Sequence, residues 1–90
     1  MAATYPLRII THEETVFEGD VESLIAPGAL GSLGILAHHA PLLTTLTEGK
    51  MTIRDAQGRP HLFRVKGGIL EVSRNHAVVL TENIERIQTS

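Results

Sequence analysis

Cysteine is missing altogether from this chain, and only three aromatic side chains occur: Tyr5, Phe17 and Phe63. Without a thiol there is no disulfide framework, no thiolate zinc site and no cysteine nucleophile, and the chain suits a reducing compartment such as the cytoplasm. One-sided charge is missing too: eight Lys and Arg stand interspersed against ten Asp and Glu, for a net charge of -2. No basic field exists to hold a nucleic-acid backbone or an anionic membrane, so neither is an expected partner. Uninterrupted apolar runs span only a few residues, far below the roughly 20 that cross a bilayer as a helix. The N-terminal stretch Met1-Ala-Ala-Thr-Tyr-Pro-Leu-Arg8 lacks the charged region and apolar core of a signal peptide. Any membrane association is therefore expected to come through another protein.

What is present is the pattern of a small β domain. Apolar residues at 42% and charged residues at 20% of the 90 are ordinary for a folded globular domain and exclude a disordered tail. Turn formers are dense: Pro6, Gly19, Pro27-Gly28, Gly31, Gly34, Pro41, Gly49, Gly58-Arg-Pro60 and Gly67-Gly68 leave no window for a central helix. Nine strand-length segments fit between them: Leu7 to Thr11, Thr15 to Glu18, Val21 to Ala26, Gly34 to Leu36, Leu43 to Thr47, Lys50 to Asp55, His61 to Val65, Gly68 to Val72 and Ala77 to Thr81. Many short strands at close spacing mean a sandwich or barrel. Met51 and Ile53 alternate with polar residues, as do Phe63 with Val65 and Leu70 with Val72, each placing one apolar face inward. The polar turn Asp55-Ala-Gln-Gly-Arg-Pro60 should join two of these strands in a hairpin, and Asn75-His76 should turn a second one. With so few aromatics the core must be filled by Leu, Ile and Val, which suits sheet-on-sheet packing.

The end of the chain departs from this pattern. Ile84 and Ile87 are three apart and Glu82 precedes Arg86 by four, a helix-like spacing in a segment too short to hold a helix alone. The expected organisation is a β domain over residues 1–82 and a short tail over 83–90, frayed or the stub of a helix.

Several side-chain sets invite a chemical reading and carry little. The adjacent pair His38-His39 has no carboxylate or cysteine at ligand spacing, and neighbours on an extended chain diverge, so no metal site is expected. Gly28-Ala-Leu-Gly-Ser-Leu-Gly34 has the glycines of a phosphate cradle but no helix start after it. Its glycines instead suit a projecting loop. Ser23, Ser32, Ser73 and Ser90 lie in no nucleophile elbow, and no enzyme activity is expected. The acids Glu13, Glu14, Glu18, Asp20 and Glu22 read as a solvated edge that discourages strand-to-strand association.

Identity comes from motif order. Tyr5-Pro-Leu-Arg-Ile-Ile10, Thr15-Val-Phe-Glu-Gly19, Gly31-Ser-Leu-Gly-Ile35, His39-Ala-Pro-Leu-Leu43 and Lys66-Gly-Gly-Ile-Leu-Glu-Val72 together resemble the N-terminal part of the epsilon subunit of bacterial F-type ATP synthases. The resemblance implies a flattened ten-strand β-sandwich. It implies a non-catalytic rotor part that couples the c ring to the gamma subunit in a proton- or sodium-translocating synthase, peripheral on the cytoplasmic side of the bacterial plasma membrane. By the same resemblance Ala29, Leu30, Gly31, Ser32, Leu33 and Gly34 meet the c ring, while Thr11, His39 and Thr44 meet gamma. His39 could equally cap its own loop ahead of Pro41. The alternative reading is a free-standing β-sandwich binding module, for instance for sugar, which the scarcity of aromatics disfavours.

Two departures from the family pattern stand out, one at Ser32 and one at Ala37-His38. Ser32 stands where relatives often carry an acid, losing a rim ion pair that would contribute no more than about 1 kcal/mol. Ala37-His38 stands where they often have Pro-Gly, which leaves the local loop path open. The helical hairpin that follows in the family, with its inhibitory and ATP-binding functions, is expected to have no counterpart after Ser90, so no cofactor and no ATP binding are expected.

Overall fold

The computed structural model describes residues 2–87 as seven strands with no helix among them. They are β1 (Tyr5–Ile10), β2 (Thr15–Gly28), β3 (Gly31–Leu36), β4 (Leu42–Asp55), β5 (Pro60–Ser73), β6 (His76–Leu80) and β7 (Ile84–Arg86). All pairings are antiparallel except β1 with β6. Because β1 pairs with both β2 and β6, the ladder β1-β6-β5-β4-β2 closes on itself. β3 extends β2 as an edge, and β7 adds to β5. The body measures 32 × 32 × 25 Å, a flattened barrel.

The expected all-β class holds, but the strand count does not: the described residues form seven strands rather than the nine read from the residues or the ten implied by the resemblance. The reason lies in three long strands. Thr15 to Glu18 and Val21 to Ala26 join within β2, Leu43 to Thr47 and Lys50 to Asp55 within β4, and His61 to Val65 and Gly68 to Val72 within β5. Each keeps its hydrogen-bonded course yet changes which alternate residues point inward. In β5 the buried positions are Phe63 and Val65, then Leu70 and Val72; in β4 they are Leu46, then Met51 and Ile53. The β4–β5 ladder passes from Leu46↔Gly68 to Glu48↔Lys66 across this step. The register is unbroken across it, so both strands change face together and line two parts of one core. At Gly68 the backbone has φ +138°, and an added Cβ would lie 2.5 Å from the Leu80 carbonyl oxygen. Only glycine permits this crossing.

Sixteen buried apolar residues, from Tyr5 on β1 to Val79 on β6, form one core. Aliphatic filling prevails as expected, with Tyr5 and Phe63 its only aromatics. Both expected hairpins form. The first is closed by Asp55, whose carboxylate accepts hydrogen bonds from the backbone N–H of Gln57 and Arg59, each at 2.9 Å. The second turns at Arg74-Asn75 rather than Asn75-His76, with φ of +53° and +59°. Two positive values in a two-residue loop match the right-handed twist of the flanking strands.

The helix-like tail reading is corrected within the described residues: Ile84–Arg86 is strand β7, paired with Val65, Arg64 and Phe63. Residues 88–90 lie outside the description. Three residues of helical spacing cannot nucleate a helix, whereas β5 offers unpaired backbone groups along this stretch. Ile84 packs against the core, and the Arg86 guanidinium lies 4.7 Å from the Phe63 ring centroid. Cation–π contact and ladder bonds thus override a weak local preference.

Candidate functional site

The Ala29 to Gly34 segment is the tip and return strand of the β2–β3 hairpin. Gly28 pairs with Gly31, leaving Ala29 and Leu30 as a two-residue turn that Gly31 closes at φ +127°. Leu30 is 104% exposed, a leucine with no protein behind it. Ser32 and Gly34 are also exposed, and nothing stands within 4 Å of where a Cβ on Gly34 would lie. The tip is supported from one side: Ala29 N–H donates to the Thr45 carbonyl at 3.2 Å, and the Thr47 hydroxyl donates to the Pro27 carbonyl at 3.3 Å. It carries no titratable group. Chemically it can offer backbone hydrogen bonds and apolar contact, and nothing else.

A second feature adjoins it. In register, Ile10 lies beside Leu80, Leu80 beside Ile69, and Ile69 beside Thr45, whose carbonyl holds the tip. The parallel row runs from Leu43 through Glu71 and Val78 to Arg8. These side chains share the outer face, because residues at register partners point the same way. Leu43, Ile69 and Leu80 are 71%, 43% and 47% exposed. Grouped apolar exposure of this kind marks a contact surface. The sequence reading missed it, although a signal existed: Ile69 and Leu80 are apolar at positions out of phase with buried Leu70 and Val79.

The three expected gamma contacts are placed differently from one another. Thr11 organises the β1–β2 turn, its hydroxyl accepting from Glu13 and Glu14 N–H at 3.1 Å each. Thr44 is half-buried on the inward face beside Leu70, and its neighbours Leu43 and Thr45 point outward. His39 lies in the β3–β4 connection, where a ring nitrogen meets the Ala40 carbonyl at 2.7 Å and the backbone N–H donates to Leu36 O. It caps its own loop ahead of Pro41. The structure brings Thr11 and Thr44 to the tip end of the sheet; His39 stands near its other end.

Departure from the Pro-Gly pattern also becomes physical. His38 has φ +65°, the conformation that glycine favours, and its N–H donates to Asn75 Oδ1 at 2.6 Å. Elsewhere, His61 Nε2 lies 2.9 Å from Asp55 Oδ2, and its ring meets Phe17 edge-on at 5.3 Å. The His61 bond, followed by the backbone donors, holds the Asp55 carboxyl below its usual range. This is a turn-closing device. No group of three or more His, Asp or Glu able to hold a metal occurs among the described residues.

The chain is thus a small all-β body that presents a bare apolar hairpin and an exposed apolar sheet face. The sequence profile of the ATP synthase Delta/Epsilon chain β-sandwich domain matches residues 4–87, and the chain belongs to that family. It is 42% identical over 84 residues to the ATP synthase epsilon chain of Protochlamydia amoebophila (strain UWE25), covering 93% of this chain and 57% of that one. It is 41% identical to the epsilon chain of Acidithiobacillus ferridurans, covering 96% and 60%. The chain thus spans little more than half the length of these relatives. Its fold superposes with a TM-score of 0.87 and 18% identity on a chain of the Euglena gracilis mitochondrial ATP synthase (OSCP/F1/c-ring), covering 96% of this chain and 55% of that one. A chain of the Tetrahymena thermophila mitochondrial ATP synthase central stalk and c-ring gives a TM-score of 0.76 at 19% identity, covering 93% and 67%.

Proposed function

We propose that this domain is a non-catalytic coupling part of an ATP synthase rotor. The β2–β3 tip rests on the c ring, and the outer face around Leu43, Ile69 and Leu80 seats the gamma subunit. The observation that carries this reading is the register row that joins the two surfaces: the Thr45 carbonyl beside Ile69 holds the Ala29 N–H. A load taken at the tip passes into the sheet that forms the apolar face through backbone hydrogen bonds. Coupling of this kind requires stiffness rather than chemistry, and a closed ladder without a free catalytic group supplies it. Ring contact would use Ala29, Leu30, Gly31, Ser32, Leu33 and Gly34. Thr11, His39 and Thr44 would support the gamma side mainly through their own turns and loops.

Localisation follows from the partners: peripheral, on the cytoplasmic side of a bacterial plasma membrane. No helix among the described residues is long and apolar enough to cross a membrane. The test is co-elution of the purified chain with gamma, and then with gamma and the c ring, by size-exclusion chromatography. Ile69→Asp should weaken gamma binding by about 10- to 100-fold, as expected for a charge set into an apolar contact centre. Absence of gamma binding by the unaltered chain would sink the proposal.

A further inference from the structure

The hairpin that carries the tip is an edge. Among the described residues β3 pairs only with β2, so the angle at which Leu30 projects depends on what holds the other end of β3. Two side chains from distant elements meet there. Tyr5, on β1 and 2% exposed, sends its hydroxyl to the carbonyl of Ile35 on β3 at 2.7 Å. Asn75, in the β5–β6 turn, accepts the His38 N–H just after β3 and donates through Nδ2 to the Thr4 carbonyl at 3.5 Å. The two contacts converge, since Thr4 and Tyr5 are chain neighbours and Ile35 and His38 flank the end of β3. Burial also pushes the Tyr5 phenol upward, so it stays a donor at any physiological pH.

From this we infer that Tyr5 and Asn75 are positioning residues, a polar clamp on the far end of β3 that fixes the pose of the β2–β3 hairpin for docking at its tip. The docking half of this inference rests on the function proposed above; the clamp itself does not. Neither residue lies on either proposed contact surface. A phenol is needed at position 5 for the hydroxyl's reach across the core, since the ring alone fills the same space without holding the carbonyl. Asn75 combines a side-chain amide with tolerance of its left-handed backbone, for which few residues serve.

The test compares Tyr5→Phe, which keeps the ring, and Asn75→Gly, which keeps the left-handed backbone. Amide hydrogen exchange in the full chain reads the hairpin separately from the body. Loss of either bond should raise exchange of residues 31–38 by about five- to tenfold, while Ile53 and Val79 amides hold their protection. Affinity of the chain–gamma complex for the c ring should fall by a similar factor, with gamma binding unchanged. A uniform rise across all strands, or no rise in residues 31–38, would overturn the clamp. If the local rise occurs but Leu30→Asp leaves ring binding intact, the clamp stands as a positioning device and the assignment of the tip to the ring fails.

Discussion

Two hairpins of this domain end in turns built on opposite terms. β2 runs past both: Val21 lies beside Asp55 at one turn, and Gly28 pairs with Gly31 at the other. At Asp55 one carboxylate closes the turn, accepting from Gln57, Arg59 and His61. Ala56 N–H reaches back to Asp20 O, and Arg86 touches His61 from β7. The Ala29-Leu30 turn has no side-chain hydrogen bond within it, and its leucine faces solvent. A turn that satisfies its own polar groups serves the fold. A turn that leaves an apolar side chain unsupported keeps contact capacity for something outside the chain.

The largest effect should come from breaking the body that both turns share. Leu70→Asp places an unpaired charge where the structure has a fully buried leucine. That costs several kcal/mol against a total stability of roughly 5–10 kcal/mol, and thermal melting should show no cooperative transition. Gly68→Ala comes next, because its Cβ would press on the Leu80 carbonyl at a φ alanine resists. A loss of about 2–3 kcal/mol in urea unfolding is expected. The comparison itself is sharpened by pairing Leu30→Asp with Asp55→Asn. The tip substitution should shift stability by no more than about 0.5 kcal/mol while abolishing ring docking. The Asp55 substitution should lower the melting temperature and leave docking intact.

Asp55 also makes a signed pH prediction. Its folded-state carboxyl titrates below the usual value of 3.8, chiefly through the His61 bond. The contribution is therefore present above about pH 4 and is lost as pH falls through the depressed folded value. Melting followed from pH 6 downward should show that loss in the unaltered chain and a flatter profile in Asp55→Asn. The smallest effect is expected at His38→Gly, where relief of a left-handed backbone and the larger entropy of an unfolded glycine nearly cancel, leaving the urea midpoint and docking both close to those of the unaltered chain.

Strand positions were legible because alternation is a local signal: Phe63 with Val65 and Leu70 with Val72 mark inward residues without knowledge of any neighbour. Glycine marked the steps, since Gly67 and Gly68 stand where β5 changes its inward phase. Whether such a step ends a strand or bends it depends on the ladder beside it, and three pairs of segments therefore merged. Ile84 to Arg86 was misread for the same reason, because the open edge of β5 that captures it lies some twenty residues away in sequence. The site was half legible. The Ala29 to Gly34 loop stood out by its glycines, whereas the outward grouping of Leu43, Ile69 and Leu80 beside half-buried Thr44 was not legible, and those three read simply as strand residues.

The sequence by itself determined the all-β class, the hairpin at Asp55, the aliphatic core and, through five motifs in order, the family. These depend on side-chain chemistry and short-range periodicity, which one chain carries in full. Closure of the ladder through β1, the grouping of exposed apolar residues on one face, and the grip of Tyr5 and Asn75 on β3 were decided only by tertiary structure. Each requires residues from separate strands or turns to share a surface, and local preference holds no record of which distant partner a strand or side chain will meet.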